Sequence, residues 1–318
     1  MDYNKRIADM KPGDEVEGFY LLKEAFLKTT AAGKPFFSGG IADKTGGIDI
    51  KVWDYSGPVG KSPTDAGKVV KIRGTVSEFK GAPQISVTHI RLAAQTDAYD
   101  RAALVPVAPI DVEQALQTIR AQLASLPDAD YRRLAETMLE RHLTAFRQIP
   151  AAKSVHHSFL SGLLMHTANM LKTADFLAGL YADVIDRSLL VTGTLLHDFA
   201  KEREFTFSEL GIVTDYSVRG QLLGHLVMGA QEVAEVSREL GLPEEKAVLL
   251  QHLILSHHGE PEYGAAVRPL CAEAELLSAI DLIDSRMEIY TEVLPEVPVG
   301  SFSSRVFALD KKLYHHGL

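Results

Sequence analysis

The segment Leu195-Leu196-His197-Asp198-Phe199-Ala200-Lys201 sets an imidazole beside a carboxylate at the end of an apolar run, with an ammonium one helical turn later. A carboxylate buried without a partner forfeits its hydration, so a cation should meet it. Lys201, at i+3 from Asp198 and i+4 from His197, shares their helical face and can form an ordinary ion pair with Asp198. The other histidines point further. Eight of the chain's 12 fall between His156 and His258. They give an ordered series of candidate metal ligands: His166, then His197-Asp198, then His225, then His257 with His258 beside it, then Asp281. Each lies in a different helical segment, and a helical bundle can project such residues into one interior site.

Imidazoles and carboxylates without thiolates suit Mn, Fe, Co, Ni or Mg better than a structural zinc. Asp198 has two oxygens and is the natural bridge between two ions. His166, His197 and Asp281 would complete one site, and His225 with His257 or His258 the other. Two cations about 4 Å apart can hold a hydroxide and clamp the oxygens of a phosphate during in-line displacement. Lys201 could stabilise charge on those oxygens as well as pair with Asp198. Taken singly, His166 and His225 could equally be satisfied core histidines. Gly224 would let a metal or substrate approach the backbone beside His225. His252 is five residues from His257, on another face, and is expected to be structural. Asp284, one turn after Asp281, is expected either behind the ligands or as a surface cap.

Helical periodicity from residue 112 onward supplies the elements that would position these groups. Helices are expected at about 112–126, where Asp111 is the N-cap, then 129–147, 157–181, 187–201, 220–240, 243–257 and 273–294. The first 95 residues instead show strand alternation in five segments: Val16–Leu22, Lys34–Ile41, Ile48–Trp53, Val69–Val76 and Pro83–Ile90. A five-stranded OB-fold barrel fits this pattern, and such barrels bind oligonucleotides through stacking and cationic side chains. Candidate contacts are Phe36, Phe37, Trp53, Tyr55 and Phe79, with Lys34, Lys51, Lys71, Arg73 and Lys80. About half of those aromatics should fill the barrel instead. The prolines Pro106 and Pro109 suit an extended connector. The expected organisation is therefore an OB-fold domain at 1–95, a linker at 96–111 and an all-α domain at 112–318.

A chain of 318 residues with 46% apolar content can build a full core. Met1-Asp2-Tyr3-Asn4-Lys5-Arg6 lacks the apolar run of a signal peptide, and no stretch is apolar enough to cross a bilayer. One cysteine, Cys271, allows no internal disulfide and fits a reducing compartment, so the expected location is the cytoplasm, away from membranes. The net charge of −9 is uneven: residues 1–95 carry 14 Lys+Arg against 11 Asp+Glu, or +3, and the remainder 19 against 31, or −12. A homo-oligomer is compatible with this size, although no apolar patch specifies one.

With these motifs in hand, the chain resembles the HD-domain phosphohydrolase superfamily in its two-metal version. It resembles more closely the YhaM-type 3′-5′ exoribonucleases, in which an OB-fold precedes the HD domain. The matching stretches are Gly33-Lys34-Pro35-Phe36, Asp43-Lys44-Thr45-Gly46, Lys51-Val52-Trp53-Asp54, His156-His157, Gly162-Leu163-Leu164-Met165-His166-Thr167, Leu196-His197-Asp198, Gly224-His225, Leu255-Ser256-His257-His258-Gly259 and Phe302–Asp310. Ala200 stands where the motif often has glycine, and Gly39-Gly40 where the barrel usually carries bulkier residues. The resemblance implies a Mn²⁺-dependent enzyme releasing 5′-mononucleotides from the 3′ end of single-stranded RNA, and in some members DNA. His156 and His157 would line the substrate path and Arg305 would contact a phosphate, each with a plain surface role as the alternative. Three other functions share the ligand set or the barrel: hydrolysis of free or cyclic nucleotides with a regulatory OB-fold, di-iron oxygen chemistry, and nucleic-acid binding with a vestigial metal site.

Overall fold

The computed structural model describes residues 2–318 apart from Ala31, 63–64, Lys80, Pro106, 152–158 and Glu209. His156, His157 and Lys80 therefore lie outside the described residues. The chain divides into two compact units, residues 1–107 with 207–214, and residues 108–206 with 215–318.

The first unit is built from β1 (Asp2–Tyr3), β2 (Glu15–Thr29), β3 (Pro35–Asp43), β4 (Gly46–Trp53), β5 (Val69–Phe79) and β6 (Ala82–Leu92). The order is β1-β2-β3-β4-β6-β5, and β2 also pairs with β5, which closes the sheet into a barrel. Without the two-residue β1, the cycle β2-β3-β4-β6-β5-β2 is the strand order of an OB-fold. Alternation decides what fills it. In β4, Ile48, Ile50 and Val52 are buried, while Asp49 and Trp53 are exposed and Lys51 half-buried. Tyr20, Leu22, Phe37, Ile41, Ile50, Ile72 and Ile85 are among the barrel's fully buried side chains, each contributing about 1.5–3 kcal/mol.

β2 runs well past the expected end at Leu22 because its first half pairs with β5 and its second with β3, across a bulge between Leu22 and Glu24. That bulge explains Gly39. A Cβ there would lie 2.4 Å from the Glu24 carbonyl oxygen, so only glycine permits the close approach.

The stretch expected as an extended connector contains α1 (Arg101–Leu104), and Leu104 and Val105 are buried. Next come α2 (Val112–Ala124), α3 (Ala129–Phe146), α4 (Gly162–Leu180), α5 (Arg187–Leu196) and α6 (Lys201–Glu204). Asp111 caps α2 as expected, its side chain accepting from Gln114 N–H. β7 (Phe205–Phe207) and β8 (Val213–Tyr216) form a hairpin, followed by α7 (Val218–Leu240), α8 (Glu244–Ser256), α9 (Ala272–Val293), β9 (Ser301–Phe302) and β10 (Tyr314–His315). The part beyond residue 112 is thus not wholly helical, as its periodicity had suggested. No described helix is long and apolar enough to cross a membrane.

The fourth expected helix also stops early. After Leu196 the backbone tightens to i→i+3 hydrogen bonds, Phe199 N–H to Leu196 O at 3.3 Å and Lys201 N–H to Asp198 O at 3.0 Å. His197 and Asp198 consequently sit at a helix end. Every residue of α5 from Ser188 to Leu196 is buried, which marks it as the core helix of its unit.

Candidate metal centre

His197 caps the C-terminus of α5, where the last carbonyls lack helical partners. Its ring fills that need, donating from Nδ1 to Thr194 O at 2.8 Å. His257, capping α8, does the same with Ile254 O at 2.7 Å. A carbonyl can only accept, so each Nδ1 carries the hydrogen and each Nε2 turns outward from its helix end. On α7, Gly224 has φ 69° and ψ 164°, a conformation open essentially to glycine, and it kinks the helix. This is the reason for the glycine: beyond the kink, the His225 N–H and Nδ1 both donate to Glu204 Oε1, at 3.0 and 2.9 Å. The fourth ring, His166 on α4, has Nδ1 2.7 Å from Asp284 Oδ2.

With Nδ1 occupied, all four rings offer Nε2 to the carboxylate of Asp198, which is 2% exposed. Asp198 Oδ2 lies 3.2 Å from His197 Nε2 and 3.9 Å from His166 Nε2, while Oδ1 lies 3.3 Å from His225 Nε2 and 3.8 Å from His257 Nε2. Asp281 Oδ1 is 3.3 Å from His166 Nε2. Two donor trios result, His166-His197-Asp198 and His225-His257-His258, each offering atoms within 4.8 Å of one another. His257 and His258 therefore both enter the second trio, their rings 4.4 Å apart. Lys201 Nζ meets Asp198 Oδ2 at 2.6 Å, the ion pair foreseen from their spacing. His252 takes no part; its Nε2 accepts the Leu270 N–H at 2.9 Å.

The electrostatics suit cations. Burial alone would raise the Asp198 carboxyl, but the Lys201 ammonium and the neighbouring histidines hold it well below the usual carboxylate range. Burial, reinforced by His258 and His197, keeps the His257 ring well below its ordinary value and so neutral, and burial lowers His258 too. His166 goes the other way: burial opposes its charge, yet the carboxylates of Asp281 and Asp284 raise it to about 9. A divalent cation between His166 Nε2 and Asp281 would take over the role of that proton. Asp198 Oδ1, His225 Nε2, His257 Nε2 and His258 Nδ1 are buried and meet no hydrogen-bond partner among the described residues. Orphaned polar atoms converging this way would each be costly, and divalent cations of the kind that thiolate-free donors favour would satisfy them.

Glu204 could not have been singled out from its sequence context, although it fixes the His225 ring. Asp284 stands behind His166 rather than at the surface. On the barrel, Phe36 and Trp53 face outward across the β3–β4 pair, with ring centroids 5.2 Å apart. Lys51 Nζ lies 5.7 Å from the Trp53 ring and 4.5 Å from that of Phe79. Lys34 pairs with Asp54 at 3.4 Å. Arg73 lines a recess of about 460 Å³ with Lys71, His89 and Arg91. Phe37 is a core residue at 0% exposure, and the Tyr55 hydroxyl is taken up by the Val59 N–H. Lys71 is paired with Glu17, and Arg305 with Asp310.

Residues 163–286 match the family model of the HD domain. The 3′-5′ exoribonuclease YhaM of Halalkalibacterium halodurans is 35% identical over 303 residues, covering 95% of this chain and 93% of that protein. Among solved structures, the second OB-fold domain of replication protein A from Methanococcus maripaludis is 17% identical, covering 31% of this chain and 100% of its own, with a TM-score of 0.23. An OB domain from Thermoplasma acidophilum is 19% identical, covering 31% and 92%, with a TM-score of 0.25. The barrel's identity rests on its own strand order.

Proposed function

Since this chain belongs to the family of the 3′-5′ exoribonuclease YhaM, we propose that its catalytic centre is the His-Asp cluster around Asp198, acting on single-stranded RNA. The chain is a metal-dependent 3′-5′ exoribonuclease. The observation that carries the assignment of the centre is the set of four buried, unpartnered donor atoms around the Asp198 carboxylate.

In this reading His166, His197, Asp198 and Asp281 would hold one divalent ion, and His225, His257 and His258, with Asp198, would hold a second. Bound cations supply the lowered water pKa and the charge neutralisation that phosphodiester hydrolysis requires. Asp198 keeps the two trios in register, one oxygen toward each. Lys201 stays cationic through its bond to Oδ2 and offsets the negative charge gathered around the reacting phosphate. Asp284, Thr194 O, Glu204 and Ile254 O hold the imidazoles by Nδ1, so the four Nε2 atoms stay aimed without reorganisation. Manganese is the ion we assign because the resemblance to the YhaM-type exoribonucleases implies it; the nitrogen and carboxylate-oxygen donors are compatible with it, as they are with Fe, Co, Ni or Mg.

The barrel unit, residues 1–107 with 207–214, serves to capture the single strand, and residues 108–206 with 215–318 to hydrolyse. The Phe36-Trp53 pair with Lys51 offers bases a stacking surface and phosphates a charge. Trp53→Ala should weaken single-stranded RNA binding by between about 5-fold and 150-fold, the cost of one lost base stack, with little change in turnover of a dinucleotide. Fluorescence anisotropy with labelled oligomers measures it, and unchanged binding would remove this face from the interface. The lone Cys271 is in keeping with a cytoplasmic setting.

The direct test digests matched single-stranded RNA and DNA oligomers, labelled at either end, with Mn²⁺ or after chelation. The expected result is stepwise loss from the 3′ end to 5′-mononucleotides, abolished by chelator and restored by Mn²⁺. Endonucleolytic products, or full activity after exhaustive chelation, would defeat the reading.

A further inference from the structure

His142 is a buried histidine that the ligand set does not use. It lies on α3, with Nδ1 2.7 Å from Glu202 Oε2 and Nε2 2.9 Å from Glu232 Oε1. Only an imidazolium donates from both nitrogens, so a ring held between two carboxylates is a charged clamp. Burial disfavours that charge, but hydrogen bonds to Glu202 and Glu232 prevail and bring the pKa to about 9. Arg203 bonds the other oxygen of Glu232 and also reaches Met228 O at 3.3 Å, and Arg141, paired with Glu239, adds a second positive charge that favours the Glu232 carboxylate. The Phe199 ring, next in sequence to Asp198, packs 5.2 Å from the His142 ring, and Phe146 packs on Phe199 at 4.9 Å.

The two carboxylates belong to the two elements that aim one ligand. Glu202 stands on α6, whose Glu204 receives both the N–H and the Nδ1 of His225. Glu232 stands on α7, seven residues beyond His225 and hence two turns along the same face. The rings of the first trio are held separately, His197 by Thr194 O and His166 by Asp284. We infer that His142 is a positioning residue, which ties α6 to α7 and thereby sets the affinity of the His225-His257-His258 trio for its ion. The inference rests on the two-ion reading above.

Full-length His142→Gln tests it. Glutamine can satisfy one carboxylate but not both. Mn²⁺ uptake, followed through the electron paramagnetic resonance signal of the free ion, should show two ions in the wild type. In the variant one ion should bind within about twofold of wild-type affinity and the other roughly tenfold or more weakly, as outer-shell changes produce. Turnover lost at low Mn²⁺ should return as Mn²⁺ is raised. Should the variant fail to fold, Glu202→Ala, at a position 38% exposed, cuts the same tie with less disturbance and should give the same selective loss. Wild-type affinity for both ions in a folded variant, or an equal loss at both, overturns the positioning role. A wild type that takes up a single ion overturns the two-ion reading itself and this inference with it.

Discussion

Replacing Asp198 with alanine should lower exonuclease turnover by at least about a thousandfold, the scale of losing electrostatic stabilisation at a reacting phosphate. It should also reduce the Mn²⁺ bound per chain. The size follows from the position of one carboxylate. Its Oδ2 faces His197 and Lys201 and its Oδ1 faces His225 and His257, so under the proposed assignment the substitution removes a carboxylate oxygen from each ion's donors. Among the described residues, the other carboxylates of the cluster each pair with a histidine of one trio, Asp281 and Asp284 with His166 and Glu204 with His225. Alanine also leaves the Lys201 ammonium, only 16% exposed, without its counter-charge, and breaking a buried pair from one side costs about 3–5 kcal/mol. Asp198→Asn separates the two effects, since it preserves shape while removing the charge that draws cations. Turnover of a labelled RNA, metal content and thermal melting, measured on both variants, check the argument. A folded Asp198→Asn protein within tenfold of wild-type activity would remove this residue from the centre.

The donors that gather around Asp198 were legible before the fold because each is a polar residue interrupting an apolar helical run, as His166 does in Leu163-Leu164-Met165-His166 and Asp281 in Ala279-Ile280-Asp281-Leu282. Burying such a group is costly unless it binds something. The groups that aim them were much less legible. Thr194 O and Ile254 O are backbone carbonyls, which any sequence supplies, and Glu204 acts across a turn and a hairpin rather than along a helix face. His142 did leave a trace: the buried stripe of α3 runs Tyr131, Leu134, Ala135, Met138, Leu139, His142, Phe146, so the histidine occupies a core position that the charged neighbours Glu140 and Arg141 disguise. In the barrel, β4 turns Trp53 outward, leaves Lys51 half-buried on the same face, and buries Ile50 and Val52, a division that sequence alone left open among the barrel's aromatics. Phe36 and Phe37, adjacent aromatics on opposite faces, needed the register with Trp53 and Val52 to be told apart. The β7–β8 hairpin was missed because strands of 3 and 4 residues give too short a period to stand out between helices.

Gly220→Ala tests how tightly the second trio's supports are packed, and its sign runs against intrinsic propensity. Gly220 is in the first turn of α7, where alanine would ordinarily stabilise a helix by up to about 1 kcal/mol. Here the added Cβ would lie 2.1 Å from the Glu204 carbonyl oxygen and 2.9 Å from its carbon. Both are backbone atoms and cannot swing away as a side chain can. The same carbonyl accepts the Ser217 N–H at 2.8 Å, and the Ser217 side chain caps α7 through the Gly220 N–H at 2.9 Å. The start of α7 and the end of α6 are thus pinned together, and the extra methyl must force them apart. Overpacking of this kind costs about 3 kcal/mol, well above the propensity gain, and should lower the melting temperature by roughly 6–12 °C in a unit of this size. The displaced Glu204 would no longer hold both the N–H and Nδ1 of His225, so Mn²⁺ affinity at that trio should fall with the stability. Calorimetry and Mn²⁺ titration on the one variant measure both. A variant that melts at or above the wild-type temperature would show that propensity outweighs the contact, and that α6 and α7 are not in the close packing on which the aim of His225 depends.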